Sequence, residues 1–205
     1  MRKFSLTSIA TAAVLALSTA AATAAPAEVV TASTSFGALS LPFTNGFNQT
    51  LSPFQTVSPF QTAYTTADYF LSDYGFSISS LGSFSSAVVT FNLGTILGLS
   101  DLSVNLLSGT PWAGAVPSAL SAAQITSRNS RILASSWSSG GAQVINPMTL
   151  AAGDYTAQVR GRVTGQFGGS YGGVLNVAAV PEPSAFALAL AGLGLLGFAT
   201  RRAKR

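Results

Sequence analysis

The sequence contains no cysteine and no histidine, and only 8% of its residues are charged. Without cysteine no disulfide can stabilise the chain, so a folded domain must depend on an apolar core. The chain also lacks the usual general base near neutral pH and the ligands of thiolate or imidazole zinc sites. These absences argue against most hydrolytic and transition-metal chemistry. We therefore expect a protein that is not an enzyme and that needs neither a cofactor nor a metal.

Positive charge is concentrated at the two ends of the chain. Six of the ten basic residues lie there: Arg2, Lys3, Arg201, Arg202, Lys204 and Arg205. Residues 28–183 hold four arginines against six acidic residues, a net charge of −2. Because the interior has no basic stripe that could follow a phosphate backbone, we expect no nucleic-acid partner.

Residues 1–27 have the three parts of a secretory signal peptide. Arg2 and Lys3 form the positive region, residues 4–17 are mostly apolar, and small residues follow. Ala-x-Ala sites at 22–24 and 25–27 leave cleavage after Ala24 and cleavage after Ala27 both open. An uncleaved N-terminal anchor is the alternative interpretation.

Residues 180–205 also have three parts in a fixed order. Pro181, Glu182 and Pro183 come first, residues 184–200 carry no charge, and the basic cluster Arg201, Arg202, Lys204 and Arg205 ends the chain. The prolines lack a backbone donor and favour extended neighbours, so they separate the domain from the helix behind them. A helix that is apolar on all sides and this long lies at the short end of the roughly 17–25 residues of a membrane span. The basic cluster would keep the tail on the cytoplasmic side.

This tail resembles the PEP-CTERM sorting signal of proteins secreted by Gram-negative bacteria that make exopolysaccharide. The resemblance implies that a membrane-embedded exosortase recognises Pro181, Glu182 and Pro183. It implies export across the inner membrane, transient anchoring by a transmembrane helix at 184–200, and delivery to the cell surface or the extracellular matrix. A plain single-pass anchor with a chance Pro-Glu-Pro before it is the alternative.

The rest of the chain has the composition of an all-β protein. It is rich in Ser, Thr, Gly, Val and Phe, and short apolar alternations are separated by glycine turns. We predict strands at Tyr69–Ile78, Ser85–Leu93, Leu102–Leu107 and within Leu150–Val177, forming one antiparallel β-sandwich or jelly-roll-like domain over residues 67–179. Residues 28–66, rich in Pro, Thr and Ser, are predicted to be a loop or edge segment. Residues 118–137 fit a short helix or two strands equally well.

One short motif suggests a subfamily. Asp73-Tyr74-Gly75-Phe76 resembles the Phe-x-Asp-x-Phe motif of one PEP-CTERM subfamily, although its spacing differs, because Leu71 and Gly75 stand where the motif has phenylalanine.

Few residues suggest a ligand site. Arg160 and Arg162 alternate along one strand, so they share a face and could clamp an acidic sugar. Aromatic rings could stack on sugars, although burial in the core is the commoner outcome: Trp112, Trp137 and Tyr171. Calcium, which takes oxygen ligands, could use an aspartate among Asp68, Asp73, Asp101 and Asp154.

The sequence therefore favours a non-enzymatic exported surface or matrix protein, sorted by an exosortase and associated with exopolysaccharide in a biofilm. The alternative is a carbohydrate-binding module with a specific sugar or calcium site. A glycosidase that uses Asp68 and Asp73 as its carboxylate pair is a third interpretation.

Overall fold

The computed structural model describes residues 26–52, 55–57, 62–64, 68–110, 112, 119–137, 141–180 and 187–195. The strands are β1 (Glu28–Leu39), β2 (Phe43–Leu51), β3 (Gln55–Val57), β4 (Thr62–Tyr64), β5 (Tyr69–Ile78), β6 (Gly82–Phe91), β7 (Leu99–Ser108), β8 (Ile132–Trp137), β9 (Ala142–Leu150), β10 (Gly153–Val163) and β11 (Gly169–Ala179). Helix α1 (Ala122–Asn129) lies between β7 and β8, and residues 187–195 are also helical.

Two sheets pack face to face and enclose the core. Sheet A has the strand order β1-β5-β10-β7-β8, sheet B has the order β2-β11-β6-β9, and β3 pairs only with β4. The predicted all-β, two-sheet sandwich is confirmed. The prediction that all strands are antiparallel is wrong, because β1 and β5 run parallel. Between them the chain crosses to sheet B through β2, so it can re-enter sheet A in the same direction.

Side-chain alternation explains which face of each strand is buried between the sheets. In β10, Tyr155, Ala157 and Val159 point into the core, whereas Gln158 and Arg160 point away from sheet B. In β6, Phe84 and Val88 are fully buried. This period of two is the pattern on which the strands were predicted.

Three segments differ from the sequence-based prediction. Strands β1 and β2 are the edges of sheets A and B, which agrees with the edge alternative for residues 28–66, but they belong to the sandwich, which therefore includes residues 28–51 and does not begin at residue 67. Strand β9 was not predicted. Residues 118–137 contain a helix and a strand, α1 and β8. The helix starts at a capping box in which Ser121 and Gln124 each satisfy the other's backbone N–H.

Aromatic side chains join the two sheets across the core. Phe70 of sheet A stacks on Tyr171 of sheet B with ring centroids 5.8 Å apart. The hydroxyl of Tyr74 lies 2.9 Å from that of Tyr171, which in turn donates to Gln49 Oε1 at 3.0 Å. Because each buried hydroxyl has a partner, burying these groups costs little.

The side of sheet A that faces away from sheet B is also covered. Leu120 packs on a small buried cluster of Val30, Leu71 and Trp112. The Leu120 N–H donates to the carbonyl of Glu28 at 2.9 Å, which holds this covering segment on β1. Sheet A is therefore buried on both faces near β1 and β5, whereas nothing in the described part of the chain covers the corresponding face of sheet B.

Candidate functional site

A buried carboxylate lies under the covering segment of sheet A. Glu28, at the start of β1, is 6% exposed. Its Oε2 lies 2.5 Å from Nη1 of Arg128 on α1, and its Oε1 lies 2.9 Å from Nε of Arg160 on β10. One carboxylate thus balances two guanidinium groups, and it ties the helix, the edge strand and a central strand together.

The two arginines predicted as a sugar clamp do share a face. The guanidinium carbon of Arg160 lies 3.4 Å from the centre of the Tyr69 ring, and that of Arg162 lies 5.3 Å from it. Arg160 is engaged by Glu28, whereas Arg162 is more exposed and lies 3.8 Å from Oδ2 of Asp101. The structure confirms their common face and shows that Arg160 already has an internal partner, so only Arg162 retains much freedom to bind a ligand.

Asp101 owes its position to an irregularity in the sheet. The register between β7 and β10 shifts between Arg160 and Arg162, and Asp101 adopts a φ of 52° there. Aspartate tolerates this left-handed backbone better than most residues. The bulge brings the carboxylate within ion-pair distance of Arg162, at the edge of the covered region.

A second buried carboxylate, Asp73 on β5, has only neutral hydrogen-bond donors. Its Oδ2 accepts from Trp112 Nε1 at 2.6 Å, and its Oδ1 accepts from Gln158 Nε2 at 2.7 Å. Desolvation raises the pKa of Asp73 to about 6, although the bonds from Gln158 and Trp112 and the charge of Arg128 oppose the rise. Within the described part of the chain, Oε1 of Gln158 is buried and lacks a hydrogen-bond partner.

The two aspartates of the glycosidase interpretation have different surroundings. Asp68 precedes β5 and accepts a hydrogen bond from the backbone N–H of Ala27 at 2.9 Å, whereas Asp73 is enclosed by Trp112 and Gln158. They therefore do not form the pair of carboxylates flanking a cleft that glycoside hydrolysis requires. Among the described residues, no three acidic side chains come together as a metal site would require.

The three aromatic residues considered for sugar stacking separate into two groups. Trp112 and Tyr171 are buried, as the commoner outcome predicts. Trp137, at the end of edge strand β8, is 64% exposed. It lies opposite Ser103 on sheet A, whereas Trp112 and Tyr171 are buried, so the structure does not assemble these three rings into one stacking platform.

The tail begins where the sandwich ends. Strand β11 ends at Ala179, and the predicted recognition residues Pro181, Glu182 and Pro183 lie outside the described residues, as does the basic cluster. Residues 187–195, within the predicted membrane span, form an exposed helix, and the remainder of 184–200 lies outside the described residues. No helix in the described part of the chain is long and apolar enough to span a membrane.

Residues 179–205 match the family model of the PEP-CTERM protein-sorting motif. The tail is a PEP-CTERM sorting motif. Such a motif is an exosortase recognition signal, and it implies an exported protein that is transiently anchored in the membrane. The PEP-CTERM prediction is therefore confirmed for the tail, whereas the Phe-x-Asp-x-Phe subfamily is not confirmed. In the structure, Asp73 of that motif is a buried residue of sheet A.

Outside the tail, the similarity to known proteins is to solved structures and not to curated sequences. No curated protein matches the sequence. Among solved structures, the pre-peptidase C-terminal domain of a collagenase from Bacillus anthracis is similar, with 15% identity and a TM-score of 0.36. The match covers 71% of this chain and 93% of that domain. A likeness this loose carries no argument about function.

Sequence reasoning missed the central residue of the covered network, Glu28. It was taken as the first residue of a polar segment, and its partner Arg128 lies 100 positions away. The low number of charges could have indicated this network. Where a domain has few charged residues, an acidic residue and arginines on different elements are candidates for a buried ion pair.

Proposed function

We propose that this chain is a non-enzymatic exported protein of the cell surface or extracellular matrix, which an exosortase delivers and which works in association with exopolysaccharide. The observation that carries the proposal is the sorting motif at residues 179–205, which follows β11 almost directly. The sandwich is therefore the cargo that the motif delivers. Its most buried charges, Glu28, Arg128 and Asp73, are bound to one another or to neutral donors, which supports a structural role for them.

The test is delivery of the full chain in its native host. A variant with Pro181→Ala, Glu182→Ala and Pro183→Ala should remain in the inner membrane with an unprocessed tail, whereas the wild-type chain reaches the surface or the medium. Ser184→Ala, directly beside the motif, is the matched control and should be delivered normally. Cell fractionation and intact mass measure both results, and normal delivery of the triple variant would contradict the sorting role.

A second candidate function is binding of an acidic polysaccharide through the pair of arginines. Arg162 is the observation that favours it, because its side chain is partly exposed and its distance from Asp101 is long for an ion pair. Arg162 lies 5.3 Å from the centre of the Tyr69 ring and 3.8 Å from Asp101, and a uronate would give it a closer anionic partner.

Binding of a uronate-containing polysaccharide distinguishes this candidate. Arg162→Ala should lower the affinity at least tenfold, and raising the salt concentration should do the same to the wild type. Arg131→Ala is the control, because Arg131 donates to the carbonyl of Thr110 and not to the Tyr69 cluster. Equal binding by all three proteins would remove this candidate and leave the sorting proposal untouched.

A further inference from the structure

The strands of sheet B carry no charged residue at all. The sequences of β2, β6, β9 and β11 contain no Asp, Glu, Lys or Arg, although solvent-facing strand positions usually include them. On the face turned away from sheet A, hereafter the outer face of sheet B, the register places Gly46, Val174, Ala87 and Val144 in one row across the four strands. Two identical copies of such a face can meet without like-charge repulsion.

Two glycines on the outer face, Gly46 and Gly172, are not required by the packing of the fold. A Cβ added at Gly46 would meet nothing closer than 3.8 Å, and the same is true at Gly172. Glycine weakens a strand by roughly 0.5–1 kcal/mol relative to alanine, and in a strand interior it often marks the close approach of another backbone. By contrast, a Cβ at the neighbouring Gly173 would lie 2.5 Å from Phe47, so that glycine is needed for packing.

The same face carries a projecting ring and a hollow. Phe91, the last residue of β6, is 68% exposed. Four residues earlier on β6, Ala87 lines a hollow of about 270 Å³ with Ser85, Val144 and Pro147 among its walls. The hollow lies where the register of β6 and β9 shifts. A cavity of about 150 Å³ holds a benzene molecule, so this hollow has room for a phenyl ring.

We propose that the outer face of sheet B is a self-association surface, on which a second copy of this chain packs with Phe91 of each copy in the hollow beside Ala87 of the other. The two-fold axis lies in the plane between the two copies, runs perpendicular to the strands and passes by Val89, which is midway between Ala87 and Phe91. This axis generates both contacts at once. This reciprocity is what a two-fold interface requires. Along β6, Phe91 lies about 13 Å from Ala87, four residues away. Because this spacing is the same in both copies, the ring of each copy lies opposite the hollow of the other.

The size of the face suits a stable pair. Strands of about ten residues are about 33 Å long and four strands are about 19 Å across, a footprint of about 600 Å². Side chains raise the accessible area of that footprint toward the ~800 Å² per partner of a standard interface. Sheets pack face to face about 10 Å apart in this way within sandwiches, and small residues in the central row favour it.

The geometry determines where the two tails would lie. Ala179 pairs with Gly82 at one end of sheet B, while Phe91 pairs with Ser170 at the other. The proposed axis therefore sends the two tails in opposite directions. The pair would join copies attached to facing surfaces, or copies already released from the membrane. This inference does not depend on the exosortase, so it can fail while the sorting proposal stands.

Because the chain has no native cysteine, single cysteines report the contact directly. Val89→Cys lies on the proposed axis and is 45% exposed in the wild type, and Leu133→Cys on β8 of sheet A is a matched control at 46%. In the full chain in the envelope of the producing cells, a short bis-maleimide, which spans the ~10 Å between facing sheets, should link Val89→Cys into a covalent dimer at least tenfold more than Leu133→Cys. Equal yields would overturn the proposal.

Two further variants keep the result from depending on thiol reactivity. Ala87→Arg in the Val89→Cys background fills the hollow and places a charge on the face, so the dimer yield should fall at least tenfold. Leu133→Arg in the same background is its control and should leave the yield unchanged. If Ala87→Arg also leaves the yield unchanged, the proposed packing is wrong. If Val89→Cys stays monomeric and a neutral polysaccharide protects its thiol from alkylation, the face binds sugar and not a second copy.

Discussion

The two sheets of this protein differ in their charged residues. Every charged residue of the described sandwich lies on a strand of sheet A or in a segment beside one, including Glu28, Asp73, Asp101, Arg128 and Arg160. Sheet B carries none. Both sheets contribute apolar side chains to the same core, so the difference concerns only what each sheet does with its other face.

In this molecule the charged residues lie on the sheet whose outer face is covered by other parts of the chain. On sheet A, Trp112, Leu120 and helix α1 cover the outer face. Beneath them Glu28 is paired with Arg128 and Arg160, because a buried charge without a partner is costly. On sheet B no described residues cover the outer face, and the strands carry no charged residue. An open face that is nevertheless uncharged is the unusual feature, and it separates the two sheets by role.

The strongest way to break the contrast is to remove the carboxylate that sheet A depends on. Glu28→Gln should lower the free energy of unfolding by about 3–5 kcal/mol, because it leaves the buried Arg128 without a counter-ion. Urea unfolding followed by tryptophan fluorescence measures the change. Asp154→Asn, which removes an exposed carboxylate, is the control and should have little effect. Equal effects of both variants would mean that the buried network does not stabilise sheet A.

The next test concerns the buried carboxylate that has no cationic partner. The pKa of Asp73 is raised from 3.8 to about 6, so between these values the folded protein binds more protons than the unfolded chain. Stability should therefore fall as pH rises from about 4 to about 6, by up to about 3 kcal/mol from this group. Unfolding free energies measured across this range test the sign.

Asp73→Asn should flatten that pH dependence while retaining the fold. An asparagine can accept from Trp112 through its Oδ1. Its Nδ2 would face the Gln158 Nε2 that now donates to Asp73, so the Gln158 amide must rotate by about 180° to bring its Oε1, which has no partner in the described part of the chain, to that position as the acceptor. At pH 7 the variant should be as stable as the wild type or more so. Asp154→Asn should leave the pH dependence unchanged. A wild-type slope that survives in Asp73→Asn would assign it to another group.

A pair of adjacent glycines sharpens the difference between the two faces of sheet B. Gly173→Ala should destabilise the protein by about 1–3 kcal/mol, because the new methyl group would meet Phe47 at 2.5 Å and the carbonyl of Ala87 at 2.8 Å. Gly172→Ala, on the outer face, should change stability by less than about 1 kcal/mol and in the favourable direction. Thermal unfolding of both variants is sufficient, and equal losses would contradict the assignment of inner and outer faces.

The smallest effect is expected at the edge of the charged region. Arg162→Ala should cost less than about 1 kcal/mol, because its ion pair with Asp101 is long and both side chains reach solvent. Raising the salt concentration should reduce even that difference. A loss as large as that of Glu28→Gln would show that Arg162 belongs to the buried network.

Local patterns predicted much of the fold. Strand β5 was placed at its observed residues, and the alternation through Tyr155 to Val163 identified β10, because both strands show apolar residues with period two. Strands β1 and β2 were predicted only as a loop or edge segment, because edge strands of Ser, Thr, Asn and Gly bury few side chains and resemble loops. Strand β9 is interrupted by Pro147, which sits at its register shift.

The candidate sites depended on information that no local pattern holds. The shared face of Arg160 and Arg162 follows from spacing along one strand, so the sequence sufficed for it. The partners Glu28, Arg128 and Trp112 come from distant parts of the chain, and only the topology brings them to β5 and β10. The tail could be recognised from sequence because its signal is a contiguous order of residue types.

The position of β11 determines how the domain would respond to mechanical load. The tail continues from β11, which lies between β2 and β6 and is paired antiparallel with both along its length. A pull on the tail along the strand direction loads the hydrogen bonds on both sides in shear, so many must yield together. An edge strand pulled sideways would instead open one bond at a time. A load applied through the tail would therefore enter the sandwich through a central strand that is hydrogen-bonded on both sides.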